Sequence, residues 1–239
     1  MRRVIILFAL GFALYAAPAA MAATGGAPTP GVETEVTRTA LLLTLLAVIP
    51  ALIVSTTSFL RIVIVLAMVR HAFGMPQTPP NIVLTSLALF MSLFLMGPTL
   101  DQVNRDGLQP YLEGRAGAEQ SMEKAAAPLK RFMLAHTRES DIEMVYVVAR
   151  EPLPERPDEI SMLKLIPAFM LNELRVAFTI GFVVLLPFLL IDLVVSSILL
   201  ALGMMMVPPA TISLPIKVLM FVLIDGWSLV MQGLLGSFS

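Results

Sequence analysis

Apolar runs without charge alternate with short polar breaks along this chain, and one long polar stretch divides them into two blocks. Met1-Arg2-Arg3 opens the sequence, followed by 14 apolar residues from Val4 to Ala17 and the small-x-small run Ala20-Met21-Ala22. That layout predicts a signal peptide over 1–22, cleaved between Ala22 and Ala23. The alternative is a first membrane helix, but at 1.5 Å per residue the run reaches only about 21 Å, against about 30 Å of hydrocarbon. A polar linker with Gly25-Gly26, Pro28 and Pro30 fills 23–38. The mature amino terminus is then expected outside the cytoplasm.

The first apolar block, 39–100, predicts a helical hairpin. Thr39 to Leu60 is 22 residues without a charge and continues past Arg61 to Val69, enough to span a bilayer. Arg70 and His71 follow, placing this end in the cytoplasm by the positive-inside rule. A proline-rich turn from Gly74 to Pro80 leads into a return helix from Ile82 to Leu100, with Gly97-Pro98 as its expected stop. The polar insert, 101–159, is expected to be extracytoplasmic. Glu119 to His136 has helical spacing with a kink at Pro128, whereas Asp141 to Arg150 fits helix or strand. The second block, 160–239, predicts an amphipathic interfacial helix from Ile160 to Arg175. A span over Val176 to Val207 and a last helix over Val218 to Leu235 complete it. The fold class is all-α: two helical hairpins of membrane character with a helical insert, crossing four times.

Charge sharpens this division. Of the 33 Asp, Glu, Lys and Arg residues, 20 lie between Asp101 and Glu159, leaving 13 for the other 180 positions. The chain is 57% hydrophobic and 14% charged, against about 25% charged in soluble domains. A net charge of −1 offers nothing for nucleic acid. There is no cysteine, and the two histidines, His71 and His136, are far apart, so thiolate and imidazole sites lack material. No phosphate loop, HExxH or GxSxG motif is present. We therefore expect no enzyme activity, no metal and no cofactor.

Four ionisable residues interrupt apolar segments: Arg61, Asp192, Lys217 and Asp225. Each costs at least about 2.5–3.5 kcal/mol at mid-bilayer. They read as charge pairs buried within or between subunits, with Arg61–Asp192 the expected pair, or as a proton or solute path. Arg61 and Lys217 also have stems long enough to snorkel. Prolines recur in the apolar runs, and broken backbone at membrane depth needs shelter from neighbouring protein, which argues for an oligomer. Met204-Met205-Met206 places three flexible thioethers together. They read either as a deformable seal around a pore or as ordinary gap-filling side chains in a chain with 16 methionines.

The runs TSFLRIVIVLAMVRHAFG (57–74), PPNIVLTSLALFMSLFLMGP (79–98), IPAFMLNELRVAFTIGFVVLLPFLLIDLVVSSILLALGMMMVPP (166–209) and ISLPIKVLMFVLIDGW (212–227) closely resemble the FliP family. The resemblance implies a subunit of the type III export gate of the bacterial inner membrane and flagellar basal body. It implies a pentamer of this subunit joined by FliQ and FliR, near FlhB and the basal-body ring. The assembly would be a helical cone that passes unfolded flagellar subunits. It also implies that Met204, Met205 and Met206 form the pore constriction, that the insert packs between copies, and that energy comes from elsewhere. The competing expectation is a proton-conducting or small-solute transporter subunit using Asp192 and Asp225.

Overall fold

A computed structural model describes residues 50–75 and 77–238, together with Thr39, Leu43 and Ala47. The chain divides into two units, 1–49 and 50–239, and the architecture below is that of the second. The expected signal peptide, its cleavage point at Ala22–Ala23 and the linker lie outside the described residues. Those residues are helical throughout, joined by turns, with no strand among them.

The first helix of this unit, α1 (Pro50–Thr56), turns by 82° into α2 (Phe59–Ala72). This corrects the single uninterrupted span expected from Thr39 to Val69. The run Ser55-Thr56-Thr57-Ser58 explains the break. The Thr56 hydroxyl donates to the Leu52 carbonyl at 2.7 Å, and the Thr57 hydroxyl to the Ile53 carbonyl at 2.6 Å. Side-chain bonds of this kind compete with the helical ladder and bend it. Thr57 Oγ1 also accepts the Phe59 amide at 3.3 Å, and the Ser58 hydroxyl meets that of Ser92 at 3.0 Å. The polar groups released by the bend are thus partly satisfied inside the fold.

Helix α3 (Asn81–Val103) passes through Pro98, so Gly97-Pro98 is not the stop it reads as. A π-helical turn (Asn104–Leu108) and the short α4 (Gln109–Leu112) extend it, giving one 32-residue helical rod. Proline costs a single ladder bond, which the packing of apolar helices tolerates. The π turn brings backbone against α5 (Ala118–Ala135): a Cβ at Gly107 would lie 2.5 Å from that of Ala125. The next helix, α6 (Glu139–Ala149), resolves the choice between helix and strand.

The long helix α7 (Met162–Ala201) runs 40 residues through Pro167 and Pro187, about 60 Å at 1.5 Å per residue. The separate interfacial helix expected over Ile160–Arg175 is its first part. The polar side chains there face protein. Lys164 pairs with Glu151, and Arg175 binds Asp141 through both carboxylate oxygens at 2.6 and 2.7 Å. The Asn172 amide donates to the His136 carbonyl at 2.6 Å. Amphipathicity that suits a membrane surface is here spent on the polar insert.

The last segment is also broken. Helices α8 (Pro209–Leu223) and α9 (Gly226–Gly236) meet at 66°, with Asp225 between them in the left-handed region at φ 49°. A Cβ on Gly226 would fall 2.2 Å from the Phe221 ring, so the turn needs a glycine there. By length and composition two helices among the described residues can cross a membrane, or up to four if each bent pair counts as one span.

Two hydrophobic cores hold this unit together. The larger sets Ile62, Val65 and Leu66 of α2 against Leu84, Ala88, Phe188, Phe221 and Leu234. The smaller packs Met133, Ile142 and Tyr146 of the insert on Leu165, Ala168 and Phe169. On α7, Glu173 lies between the stretches that serve each core. Glu173 is fully buried and paired in bidentate fashion with Arg61, itself 2% exposed. Glu173→Gln therefore leaves a buried guanidinium without its countercharge and should cost about 3–5 kcal/mol. Replacing both partners by methionine should cost less than either Arg61→Met or Glu173→Met alone, because no lone charge remains. Denaturant unfolding of these proteins in detergent measures this; a double variant as unstable as the sum of the singles would refute it.

Candidate functional site

The methionine turn follows from how α7 ends and α8 begins. Gly203 adopts φ 72°, which closes α7 by letting the Met204 amide donate back to the Leu199 carbonyl at 2.9 Å and the Gly203 amide to Leu200 at 3.0 Å. Glycine is favoured in this left-handed cap because it has no Cβ. On the other side Pro208 precedes α8, and Pro209 occupies its first turn, where a missing amide is harmless. Between these two fixed ends the backbone has room for one short turn. Met204, Met205 and Met206 are pushed outward and are 44%, 81% and 96% exposed. Within this chain they are not core residues. They present a compact group of polarizable apolar side chains at the tip between two helices.

The ionisable residues sort differently from the expected pairing. Arg61 does not meet Asp192. Its Nε and Nη2 donate to Glu173, and Nη1 donates to the Ser237 carbonyl and hydroxyl at 2.7 and 2.8 Å. The Phe238 ring covers the guanidinium, 3.7 Å from its central carbon. Asp192 pairs instead with Lys217 at 2.7 Å, while the same ammonium donates to the Ala72 carbonyl at 3.2 Å. Lys217 is buried, and the Asp192 side chain remains 40% exposed. Asp225 is exposed at the α8–α9 break and has no ion-pair partner among the described residues.

In sequence Glu173 looks like one more polar position of the amphipathic run from Ile160 to Arg175. Its register carried a signal, since Leu165, Phe169, Glu173 and Ala177 form an i, i+4 stripe and all four are buried. An acid on such a stripe requires a buried cation, and Arg61 is one of the few available.

Much of the surface of α7, α8 and α9 away from the insert is apolar. A hollow of about 420 Å³ between α7, α8 and α9 is lined by Ile180, Val184, Pro187, Phe221 and Leu229, with Thr179 its one hydroxyl. Among the described residues no three His, Asp or Glu side chains converge as a metal site would require. The arrangement can form pairs, hinges and an apolar tip.

The sequence pattern of the FliP family matches residues 42–234. The chain is 48% identical over 201 residues to the flagellar biosynthetic protein FliP of Pectobacterium carotovorum subsp. carotovorum, covering 84% of this chain and 78% of that one. It is 44% identical over 198 residues to the FliP protein of Bacillus subtilis, covering 83% and 90%. For the FliP protein of Rhizobium meliloti the figures are 43% over 209 residues, 87% and 85%. The matched span contains α2 to α8, both ion pairs and the methionine turn, and the chain belongs to the FliP family of flagellar biosynthetic proteins.

Proposed function

We propose that this protein is a structural subunit of the flagellar export gate in the bacterial inner membrane, and that Met204, Met205 and Met206 from each copy form a deformable seal on its pore. The observation that carries this reading is the outward display of three methionines on a turn fixed at both ends. A thioether turn exposed to water serves no purpose in an isolated chain, whereas converging copies would bury it. Methionine adapts to irregular surfaces, and an apolar constriction can close by excluding water.

The remaining surface supports assembly. Only 28% of the apolar window of the α3–α4 rod and 17% of that of α7 are buried within the chain. Other copies, FliQ, FliR and lipid would cover what is left. We assign five copies to a cone-shaped gate, seated in the basal-body ring near FlhB, with unfolded flagellar proteins as its cargo. The amino terminus and the polar insert face the periplasm in this arrangement, with the insert between copies. The chain performs no chemistry of its own, and Arg61, Glu173, Asp192 and Lys217 act as internal fastenings.

A second reading, a proton-conducting or small-solute transporter subunit, draws on Asp225, an acid without an ionic partner at a helix break. Asp192 weighs against it, being held by Lys217.

Two experiments separate these readings. The chain has no cysteine, so Met205→Cys introduces its sole thiol. Mild oxidation of the assembled complex should give disulfide-linked dimers, which requires Cα atoms of neighbouring copies about 4.4–6.8 Å apart. An assembled complex that gives no dimers would remove the methionines from the pore. Asp192→Asn leaves Lys217 without its countercharge. Discounted for the exposure of Asp192, the loss should be about 1–2 kcal/mol, read as weaker assembly on native gels. Intact assembly with abolished proton flux would favour the transporter instead.

A further inference from the structure

The carboxyl-terminal residues do not trail away from the last helix. They fold back over Arg61 and reach the end of the insert helix α5, where His136 stands. Ser237 is held by Arg61 through two hydrogen bonds, and Phe238 stacks on the guanidinium. The His136 ring lies between Phe132, with centroids 4.4 Å apart, and Phe238, at 5.5 Å. Three parts of the chain distant in sequence therefore meet at one point: α2, the end of the insert, and the last residues after α9.

The imidazole has an unusual pair of neighbours. Its Nδ1 is 2.8 Å from the Phe132 carbonyl oxygen, and its Nε2 is 3.4 Å from the Phe238 carbonyl oxygen. A neutral imidazole has one N–H. The shorter contact claims it, so the neutral ring donates from Nδ1 to Phe132 and turns a bare Nε2 lone pair toward a second acceptor. A doubly protonated ring donates to both carbonyls.

The charges around it come from each packed element. Arg61 of α2 sits beside Phe238, and Arg138 follows α5. Glu173 of α7 is engaged by Arg61, and α9 carries no charged side chain. On α5 itself, Arg131 is directed to Gln102 and Lys130 to the Asp158 carbonyl. Arg61 is matched by Glu173, which leaves Arg138 as the charge beside the ring with no ion-pair partner among the described residues.

We propose that His136 and Ser237–Phe238 form a proton-sensitive clasp: protonation of His136 adds an Nε2–H bond to the Phe238 carbonyl and tightens the hold of the insert on the carboxyl-terminal end. The clasp closes when the ring is doubly protonated and loosens when it loses that proton. It is independent of the methionine seal, and a failure of either leaves the other standing.

Hydrogen exchange on the full chain in detergent tests it. When the end is docked, the Ser237 and Phe238 amides donate to Leu234 and Leu235 at 3.2 and 3.1 Å. Their protection, taken relative to the intrinsic rate at each pH, should be about tenfold greater near pH 5.5 than near pH 8, the scale of one hydrogen bond to a charged group. His136→Asn should abolish the difference while α7 keeps its protection; His136→Gln serves if the first variant does not fold. With only His71 and His136 in the chain, ¹⁵N-imidazole spectra of the unaltered protein follow the ring directly. His136 should gain its second N–H over the same pH interval in which protection rises. Protection that does not change with pH, a change that survives both substitutions, or a ring that titrates outside that interval would each overturn the clasp.

Discussion

One buried ion pair joins α2 to α7 at the level where the two hydrophobic cores of this unit meet. Arg61 and Glu173 are almost fully removed from solvent, and two desolvated charges are tolerated only when geometry and hydrogen bonding are nearly saturated. Arg61 meets that condition by engaging the carboxylate twice and Ser237 twice, with Phe238 across its face. A lysine at this position could not do the same, because the planar fork of guanidinium donors is what reaches two partners in different directions. The pair fixes α2 against α7 at the level where the larger core gives way to the smaller one. It also dictates where the carboxyl-terminal end must lie. The two cores and the chain terminus share this single constraint.

The helix breaks obey the same requirement that polar groups be matched. At Thr57–Ser58 hydroxyls take over from the helical ladder, and at Asp225 a left-handed residue and the adjacent glycine turn the chain beside Phe221. The prolines at 98, 167 and 187 do not end their helices. Apolar side chains on every side make helix the least costly way to satisfy the remaining backbone, so losing one bond is preferable to unwinding. In a soluble protein the same residues would more often mark ends.

This contrast explains what the sequence makes legible and what it hides. The apolar blocks, the helical insert, the proline-rich turn before α3 and the methionine turn all follow from local pattern. The break at 82° was hidden because Ser and Thr are compatible with apolar helices, and nothing local separates a hydroxyl that decorates a helix from one that replaces its bonds. The partners of Arg61 were hidden for another reason. Asp192 interrupts a long apolar run and attracts notice, whereas Glu173 sits among Lys164, Asn172 and Arg175 and looks like one polar position of several. Its neighbours then turn toward the insert while it alone turns toward α2. Which acid neutralises which base is decided by packing between residues 112 positions apart, and a pattern of period 3.6 carries no information on that scale.

The two ion pairs also bear on how a methionine tip can act as a seal. Asp192 lies nine residues before the end of α7, and Lys217 lies eight residues after the start of α8. Their bond cinches the two helices about 12–14 Å below the turn, at 1.5 Å per residue. Lys217 further binds the last carbonyl of α2, so the stem is tied to the larger core. The backbone of the turn therefore starts from a braced base, with Gly203 and Pro208 limiting its own freedom. Motion at the tip is left mainly to the side chains, each with three rotatable bonds and a soft sulfur. A barrier built this way yields to a passing polypeptide through rotamer changes, which are fast and small. It need not separate helices whose contacts cost several kcal/mol to break. In the proposed role as an export gate, rigid fastenings in the stem and soft atoms at the tip would be two halves of one requirement: to open for cargo without coming apart.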